Sequence, residues 1–286
     1  MIARLSTRIV RYFTKQRRPP RTIPSPIQQP INMQGFGEVA GRAVLVIGGG
    51  RIGRATSKAF LAAGARVHLA DIRPGLAPEG AIESVVDASD IADIERFWAD
   101  LDEPIDILVH AAGYQAPVRS FDDATDAEWR QTFNTNLFGL MRIAQLVGVD
   151  WKKRRHPGSM IFIASAHHAI TGGWPDYAAS KAAVVMFMRE LALEWAPWGI
   201  RVNAIAPGWV ADQSELHATD FPHTPLGQCA IPPQYIAYAA LFLASDQSAF
   251  TTGTVMPVDG GLSLRSYRTA ANVVPEDPHV RRYDVG

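Results

Sequence analysis

The sequence holds one cysteine in 286 residues, no acidic residue before Glu38, and no apolar run approaching the roughly 20 residues that span a bilayer. Each scarcity excludes something. A lone Cys229 cannot form an intramolecular disulfide, which rules out a disulfide-stapled fold; the residue fits a reduced compartment or no redox role. The longest apolar stretches, such as the one ending in Ala239-Ala240-Leu241-Phe242-Leu243-Ala244, are too short for a transmembrane segment. The missing acid at the start leaves Arg4, Arg8, Arg11, Lys15, Arg17, Arg18 and Arg21 uncompensated. From Met33 onward 21 basic residues face 28 acidic ones, a net charge of −7 inside a chain that is neutral as a whole. An acidic body without a basic stripe repels phosphate backbones, so the expected partner is a small molecule and not nucleic acid.

The N-terminal basic segment reads as an amphipathic helix over the first 18 residues, with Ile2, Leu5, Ile9 and Tyr12/Phe13 on one face and the arginines on the other. Pro19-Pro20 blocks its continuation, and Pro24, Pro26 and Pro30 make residues 19–34 a linker. An organelle transit peptide, a membrane-surface helix and an extension upstream of a start at Met33 share this composition. The expectation is a cytoplasmic protein, or a mitochondrial-matrix one if residues 1–32 are a transit peptide. The chain thus divides into an extension over 1–34, a body over 35–264 and a C-terminal extension over 265–286. That last piece carries Arg265, Arg268, Arg281 and Arg282 and either wraps a neighbouring subunit or stays disordered.

From residue 42 short β-rich apolar runs alternate with longer helical stretches, the pattern that builds a parallel sheet. Strands are expected at Ala43–Ile47, Arg66–Ala70, Ile105–Val109, Met160–Ala164, Arg201–Ile205 and Thr254–Val258, with a weaker one at Ser84–Val86. Most lack polar alternation, so helices should cover both faces. Those helices are expected at Ile52–Ala63, Ile91–Leu101, Asp126–Val147, Ala178–Trp195 and Pro233–Ala244, with Pro233 in a first turn. The fold class is α/β: a single doubly wound Rossmann-type domain with a central parallel sheet flanked by helices.

Ala43–Ile47 runs into Gly48-Gly49-Gly50-Arg51-Ile52-Gly53 and then a helical pattern, which is G-x-G-x-x-G in the strand-to-helix setting of a dinucleotide site. Gly48 permits the tight turn, Gly50 lets backbone approach a pyrophosphate, and Gly53 allows close helix packing, with the helix N-terminus facing the phosphates. Asp71 ends the next strand, 18 residues past Gly53, where a carboxylate can accept hydrogen bonds from ribose hydroxyls. This favours NAD over NADP, whose 2′-phosphate would meet a like charge that Arg51 and Arg73 offset only in part. Further along, Ser165 follows a strand and Tyr177-Ala178-Ala179-Ser180-Lys181 opens a helix. Tyr177 and Lys181 are i,i+4 neighbours there, and a nearby ammonium lowers a phenol pKa toward the range of a useful acid or base.

In these motifs the chain resembles the short-chain dehydrogenase/reductase family from about Gly41 to Gly261. Leu108-Val109-His110-Ala111-Ala112-Gly113 is similar to the family's Asn-Asn-Ala-Gly strand end, and Asn134-Thr135-Asn136-Leu137-Phe138-Gly139 to its Asn-bearing helix motif. Ser165, Tyr177 and Lys181 match its active site. Asn203–Val210 is similar to the Pro-Gly segment beside the nicotinamide, and Leu241–Ser245 with Val258–Gly261 to its C-terminal signature. The resemblance implies Tyr177 as general acid/base and as a cofactor-binding residue, Lys181 as the group that lowers its pKa and binds the nicotinamide ribose, and Ser165 as hydrogen-bond partner of the substrate oxygen. It further implies Asn136 in a proton relay through water, Asp87 near the adenine, Ala112 and Gly113 beside the cofactor, and the Val210 backbone near the carboxamide. Departures exist: Ile47 and Arg51 replace a Thr and a Gly in a loop one residue shorter, His110 and Ala111 replace two Asn, and Asp212 stands where a Thr is usual.

The expected activity is NAD(H)-dependent interconversion of a secondary alcohol and a carbonyl. The alternatives are an NADPH-dependent 3-oxoacyl reductase and, in a different class, a non-catalytic dinucleotide-sensing scaffold. No metal site is expected, because His167-His168 lacks supporting ligand spacing and reads as substrate-mouth lining or loop surface. Tyr114, Trp174 and Trp209 fall in loops after strand ends and could wall a pocket, and the short Ala211–Pro225 segment corresponds to the family's substrate-covering loop. Ala182–Met188 is apolar around the whole helix, which predicts burial on every side; the resemblance implies a homodimer or homotetramer built on this helix and the one containing Asn136.

Overall fold

The computed structural model describes residues 39–117, 121–211, 224–226 and 230–264. The expectations placed on the N-terminal helix and linker, Asp212, Cys229, most of the 211–225 loop and the C-terminal extension fall outside them.

Seven strands form one parallel sheet: β1 (Ala43–Ile47), β2 (Arg66–Asp71), β3 (Ile82–Val85), β4 (Ile107–His110), β5 (Ser159–Ile163), β6 (Arg201–Pro207) and β7 (Val255–Val258), in the order β3-β2-β1-β4-β5-β6-β7. All five residues of β1 are buried, and successive side chains serve opposite faces. Ala43, Leu45 and Ile47 join one core with Phe162, Trp151 and Met188, while Val44 and Val46 join another with Phe60, Ile161 and Leu241. This two-sided burial is why the central strands lack polar alternation. Only the edges depart from it: three of the four β3 residues are exposed, and none in β7 is fully buried.

Helices α1 (Arg51–Ala62) and α6 (Pro233–Ala244) cover one face; α2 (Ile91–Ala99), α4 (Gly139–Arg154) and α5 (Pro175–Trp195) cover the other, with α3 (Asp126–Phe133) leading into α4. Their starts are locally encoded. Asp90 accepts hydrogen bonds from Ala92 N and Asp93 N, Thr125 and Glu128 form a capping box, and Pro175 and Pro233 occupy first turns.

The helix expected over Asp126–Val147 is divided by a π-turn at Asn134–Phe138, closed by Gly139 N donating to Asn134 O, and α4 then runs on to Arg154. Gly139 lies against the Ala88 carbonyl, where a Cβ would be 1.7 Å from the oxygen. Within Ala182–Met188, Val184, Val185 and Met188 are buried by this chain alone, whereas Met186 is 54% exposed.

The chain passes from one half of the sheet to the other between β1 and β4. In doubly wound sheets ligands bind in the crevice beyond the carboxyl ends at such a point. At the opposite end of the sheet, Arg155 closes α4 in the left-handed region, φ 53° and ψ 40°, with Arg155 N donating to Lys152 O and His156 N to Trp151 O. A side chain is disfavoured in this conformation, whereas glycine adopts it freely. Arg155→Gly should therefore raise stability by about 0.5–1 kcal/mol in urea or thermal unfolding, with turnover unchanged.

Candidate active site

The glycine loop is built by close packing. Gly48 takes φ +99° and donates to Ala70 O at 2.7 Å; a Cβ there would fall 2.3 Å from Ala112 N, so the ends of β1 and β4 meet backbone to backbone. A Cβ on Gly53 would fall 1.7 Å from Gly48 O. Gly50 is different: nothing lies within 4 Å of where its Cβ would be. It caps α1, whose first turn holds no side-chain cap and no acidic residue. An uncapped helix N-terminus beside an open glycine fits a pyrophosphate, with Arg51 and Ile52 in that first turn.

Asp71 makes contacts within the chain that its place in the sequence does not announce. Its Oδ2 accepts from Gly49 N at 2.6 Å and its Oδ1 from Arg73 N at 2.9 Å, with Arg73 Nε at 3.4 Å. The carboxylate thus ties the glycine loop to the end of β2. Gly49 was not singled out from sequence, yet a Cβ there would press on Leu76 at 3.0 Å. Asp87 is half-buried and accepts from the backbone N–H and the hydroxyl of Ser89 at 2.8 and 2.7 Å, a local turn before α2.

Beyond β5 and β6 lies a cleft of about 500 Å³, whose walls include Ser165, Tyr177, Lys181, Ile52, Gly113 and Val210. Six of the expected site residues are therefore brought together. All three aromatic candidates, Tyr114, Trp174 and Trp209, line it as well, with His167, Gln115 and Thr224. His168 does not line it; its Nδ1 lies 2.7 Å from Ser165 O. No group of three or more His, Cys, Asp or Glu side chains able to hold a metal is found among the described residues.

Lys181 is 3% exposed, donates to Ile163 O at 3.0 Å and lies 5.6 Å from the centroid of the Tyr177 ring. Burial holds its ammonium at a pKa of about 8. Burial likewise pushes the Tyr177 phenol above its ordinary value, and the Ser165 hydroxyl is the group that draws it back. This corrects the expectation of a net downward shift set by Lys181: desolvation outweighs the helical neighbour.

Asn136, in the π-turn, accepts from Tyr114 N at 2.7 Å, and its amide donates to Tyr114 O and to Ser180 Oγ, both at 2.9 Å. Ser180 Oγ in turn donates to Tyr177 O at 2.7 Å. The asparagine therefore braces the Tyr114 loop and the start of α5, a link through Ser180 that the sequence reading missed. Its amide oxygen lies 3.6 Å from where a Cβ on Gly113 would sit, and Lys181 Nζ lies 3.5 Å from the same point. His110, at the end of β4, is buried and held neutral with a pKa of about 3, by desolvation first and the Lys181 charge second.

The family profile described as Enoyl-(Acyl carrier protein) reductase matches residues 50–263. Galactitol 2-dehydrogenase (L-tagatose-forming) of Cereibacter sphaeroides is 35% identical over 247 residues, covering 78% of this chain and 96% of that protein. Among solved structures, a 3-oxoacyl-[acyl-carrier protein] reductase with bound NAD from Brucella melitensis is similar at a TM-score of 0.76 and 27% identity, covering 84% of this chain and 99% of that one. A gluconate 5-dehydrogenase from Burkholderia cenocepacia, in complex with NADP and tartrate, gives 0.72 and 29%, covering 82% and 99%. The seven-stranded parallel sheet, the glycine loop at its switch point and the Ser165–Tyr177–Lys181 cleft at the same edge agree with these likenesses: the chain belongs to the short-chain dehydrogenase/reductase family.

Proposed function

We propose that the chain is an NAD(H)-dependent oxidoreductase that interconverts a secondary alcohol and a ketone or aldehyde, with Tyr177 as the proton-transfer group. The observation that carries this reading is the convergence of Ser165, Tyr177 and Lys181 on one cleft, at the sheet edge that also holds the open glycine loop. When bound, the nicotinamide dinucleotide supplies or accepts the hydride. Tyr177 then gives its proton to the carbonyl oxygen in reduction, or takes the hydroxyl proton in oxidation. Ser165 Oγ hydrogen-bonds the same oxygen and holds it in line with the phenol. Lys181 stabilises the phenolate from its place beneath the ring and reaches the nicotinamide ribose. Asn136 acts by position, because both amide hydrogens are committed to Tyr114 O and Ser180 Oγ.

The pyrophosphate is assigned to the Gly48, Gly50, Arg51, Ile52 and Gly53 segment, the nicotinamide side to Ala112, Gly113 and Val210, and the adenosine side to Asp71 and Asp87. NAD is favoured over NADP because Asp71 is anchored where it is by Gly49 N and would face a 2′-phosphate with like charge. The same charge disfavours the NADPH-dependent 3-oxoacyl alternative. A relative named for galactitol and tagatose supports a small hydroxylated substrate. Exposed Phe138, Met141 and Met186 on the π-turn, α4 and α5 support a homodimer or homotetramer formed on that face.

The test is separate titration with NADH and NADPH, followed by nicotinamide absorbance against a panel of secondary alcohols and ketones. NADH binding with turnover supports the reading, whereas binding without turnover on any substrate supports the sensor. Asp71→Ser should lower the ratio of NADH to NADPH efficiency at least tenfold, on the order of one lost charge–phosphate repulsion. An unchanged ratio would remove Asp71 from cofactor choice.

A further inference from the structure

Among the aromatic side chains in the cleft, His167 is fixed in place from several sides. Its backbone N–H donates to Ser165 Oγ at 3.2 Å, tying it to the serine that faces the reacting oxygen. Its ring stands edge-on to Tyr177, with centroids 6.0 Å apart, and edge-on to Trp174 at 5.2 Å. Beneath it lies Gly172, where a Cβ would fall 1.9 Å from His167 Cε1 and 2.6 Å from Nδ1, so a side chain at that position and this ring cannot coexist. Nδ1 is buried and lacks a hydrogen-bond partner, the Ile170 backbone lies within reach of the ring, and the residue lines the cleft.

From this geometry we infer that His167 Nε2 binds a hydroxyl on the substrate carbon adjacent to the reacting one, so that the preferred substrates are uncharged α-hydroxy ketones and the vicinal diols they form. The inference rests on the carbonyl–alcohol reading of the same site and narrows it. Ser165 and Tyr177 together address a single oxygen. His167 is two residues from the first and in ring contact with the second, so on this reading its ring meets the next position along the substrate chain.

The chemistry of the wall selects an uncharged group. Burial lowers the imidazole pKa, against a smaller raising contribution from the Ile170 backbone, so the ring is neutral at pH 7 and can donate to or accept from a hydroxyl. Lys181 is the one Lys or Arg among the described lining residues, and it is already engaged by Ile163 O. The remaining polar groups named above, Tyr114, Gln115 and Thr224, are uncharged, and Trp174 and Trp209 offer flat apolar surface for the C–H faces of a short polyol.

The experiment compares kcat/KM for 1-hydroxy-2-butanone and 2-butanone, with NADH and with NADPH, in the full-length protein. The unaltered protein is expected to prefer the hydroxylated ketone on the order of 10- to 100-fold, because a site built to bond a hydroxyl discriminates against its absence. His167→Phe keeps the ring contacts and removes both nitrogens; the ratio should fall tenfold or more. Gly172→Ala is the independent variant: it retains the histidine but displaces its ring, and the ratio should fall in the same direction. No hydroxyl preference in the parent, or a ratio that His167→Phe and Gly172→Ala leave intact, overturns the assignment while the carbonyl–alcohol reading stands. Failure of both ketones across both cofactors overturns that reading and the assignment with it.

Discussion

Replacing Tyr177 by Phe should lower kcat by roughly 10²–10⁴-fold, the range that a positioned general acid or base contributes, while NADH binding is retained. The separation of the two effects follows from the layout of the site. Dinucleotide affinity is assigned to the Gly48–Gly53 loop and the uncapped start of α1, which sit beyond β1, whereas the phenol sits on α5 beyond β5. Removing one buried oxygen leaves the ring, its edge contact with His167 and its place above Lys181 unchanged. Stability should move by no more than about 1 kcal/mol, the net worth of the hydrogen bond to Ser165. The same substitution separates the two function classes: a dinucleotide-sensing scaffold loses nothing with the hydroxyl, and an oxidoreductase loses nearly all turnover. Single-turnover absorbance at the nicotinamide band, beside a binding titration, reads both.

How far the sequence foretold this site depends on how local each determinant is. The limits of β1 were legible because Val44–Ile47 is bounded by Gly41 and Gly48, and those of α6 because Pro233 opens it. β4 starts two residues later than expected: Ile105 is fully buried, but its carbonyl accepts from the Trp151 indole and from Arg154 and not from a strand. The π-turn at Asn134–Phe138 was illegible, since it depends on Gly139 lying against Ala88, about fifty residues away in sequence. Within the site, the Tyr177–Lys181 spacing and the glycine loop are short-range patterns and could be read. The tie between Asp71 and Gly49 and the brace from Asn136 through Ser180 join residues 22 and 44 apart, and no local pattern announces them. The sign of the Tyr177 shift failed for the same reason: i,i+4 spacing shows the ammonium, but only the packed cleft shows the desolvation that outweighs it.

That desolvation makes Lys181 the residue where stability and activity oppose each other, and Lys181→Met should be both more stable and nearly inactive. A buried lysine held at about 8 in place of 10.5 reflects about 3 kcal/mol of unfavourable burial of the charged form at pH 7. Methionine has similar length, carries no charge and fits irregular apolar space; the variant loses the bond to Ile163 O, worth about 1.5–3 kcal/mol for a charged donor, and the ammonium's contact with the Tyr177 ring. The net gain should be no more than about 1.5 kcal/mol, or a few degrees in Tm for a domain of this size. The sign with pH follows from linkage. Between pH 8 and 10.5 the unfolded chain binds the lysine proton and the folded one does not, so the parent gains stability as pH rises through that window and the advantage of methionine fades. Activity runs the other way, because a phenolate that burial already disfavours loses its only cationic partner among the described wall residues, and turnover should fall on the order of 10²-fold or more. Thermal unfolding of both proteins at pH 7 and at pH 10, beside turnover at pH 7, checks the argument. A variant less stable than the parent at pH 7 would mean that the ammonium is better compensated in its pocket than its single carbonyl partner implies.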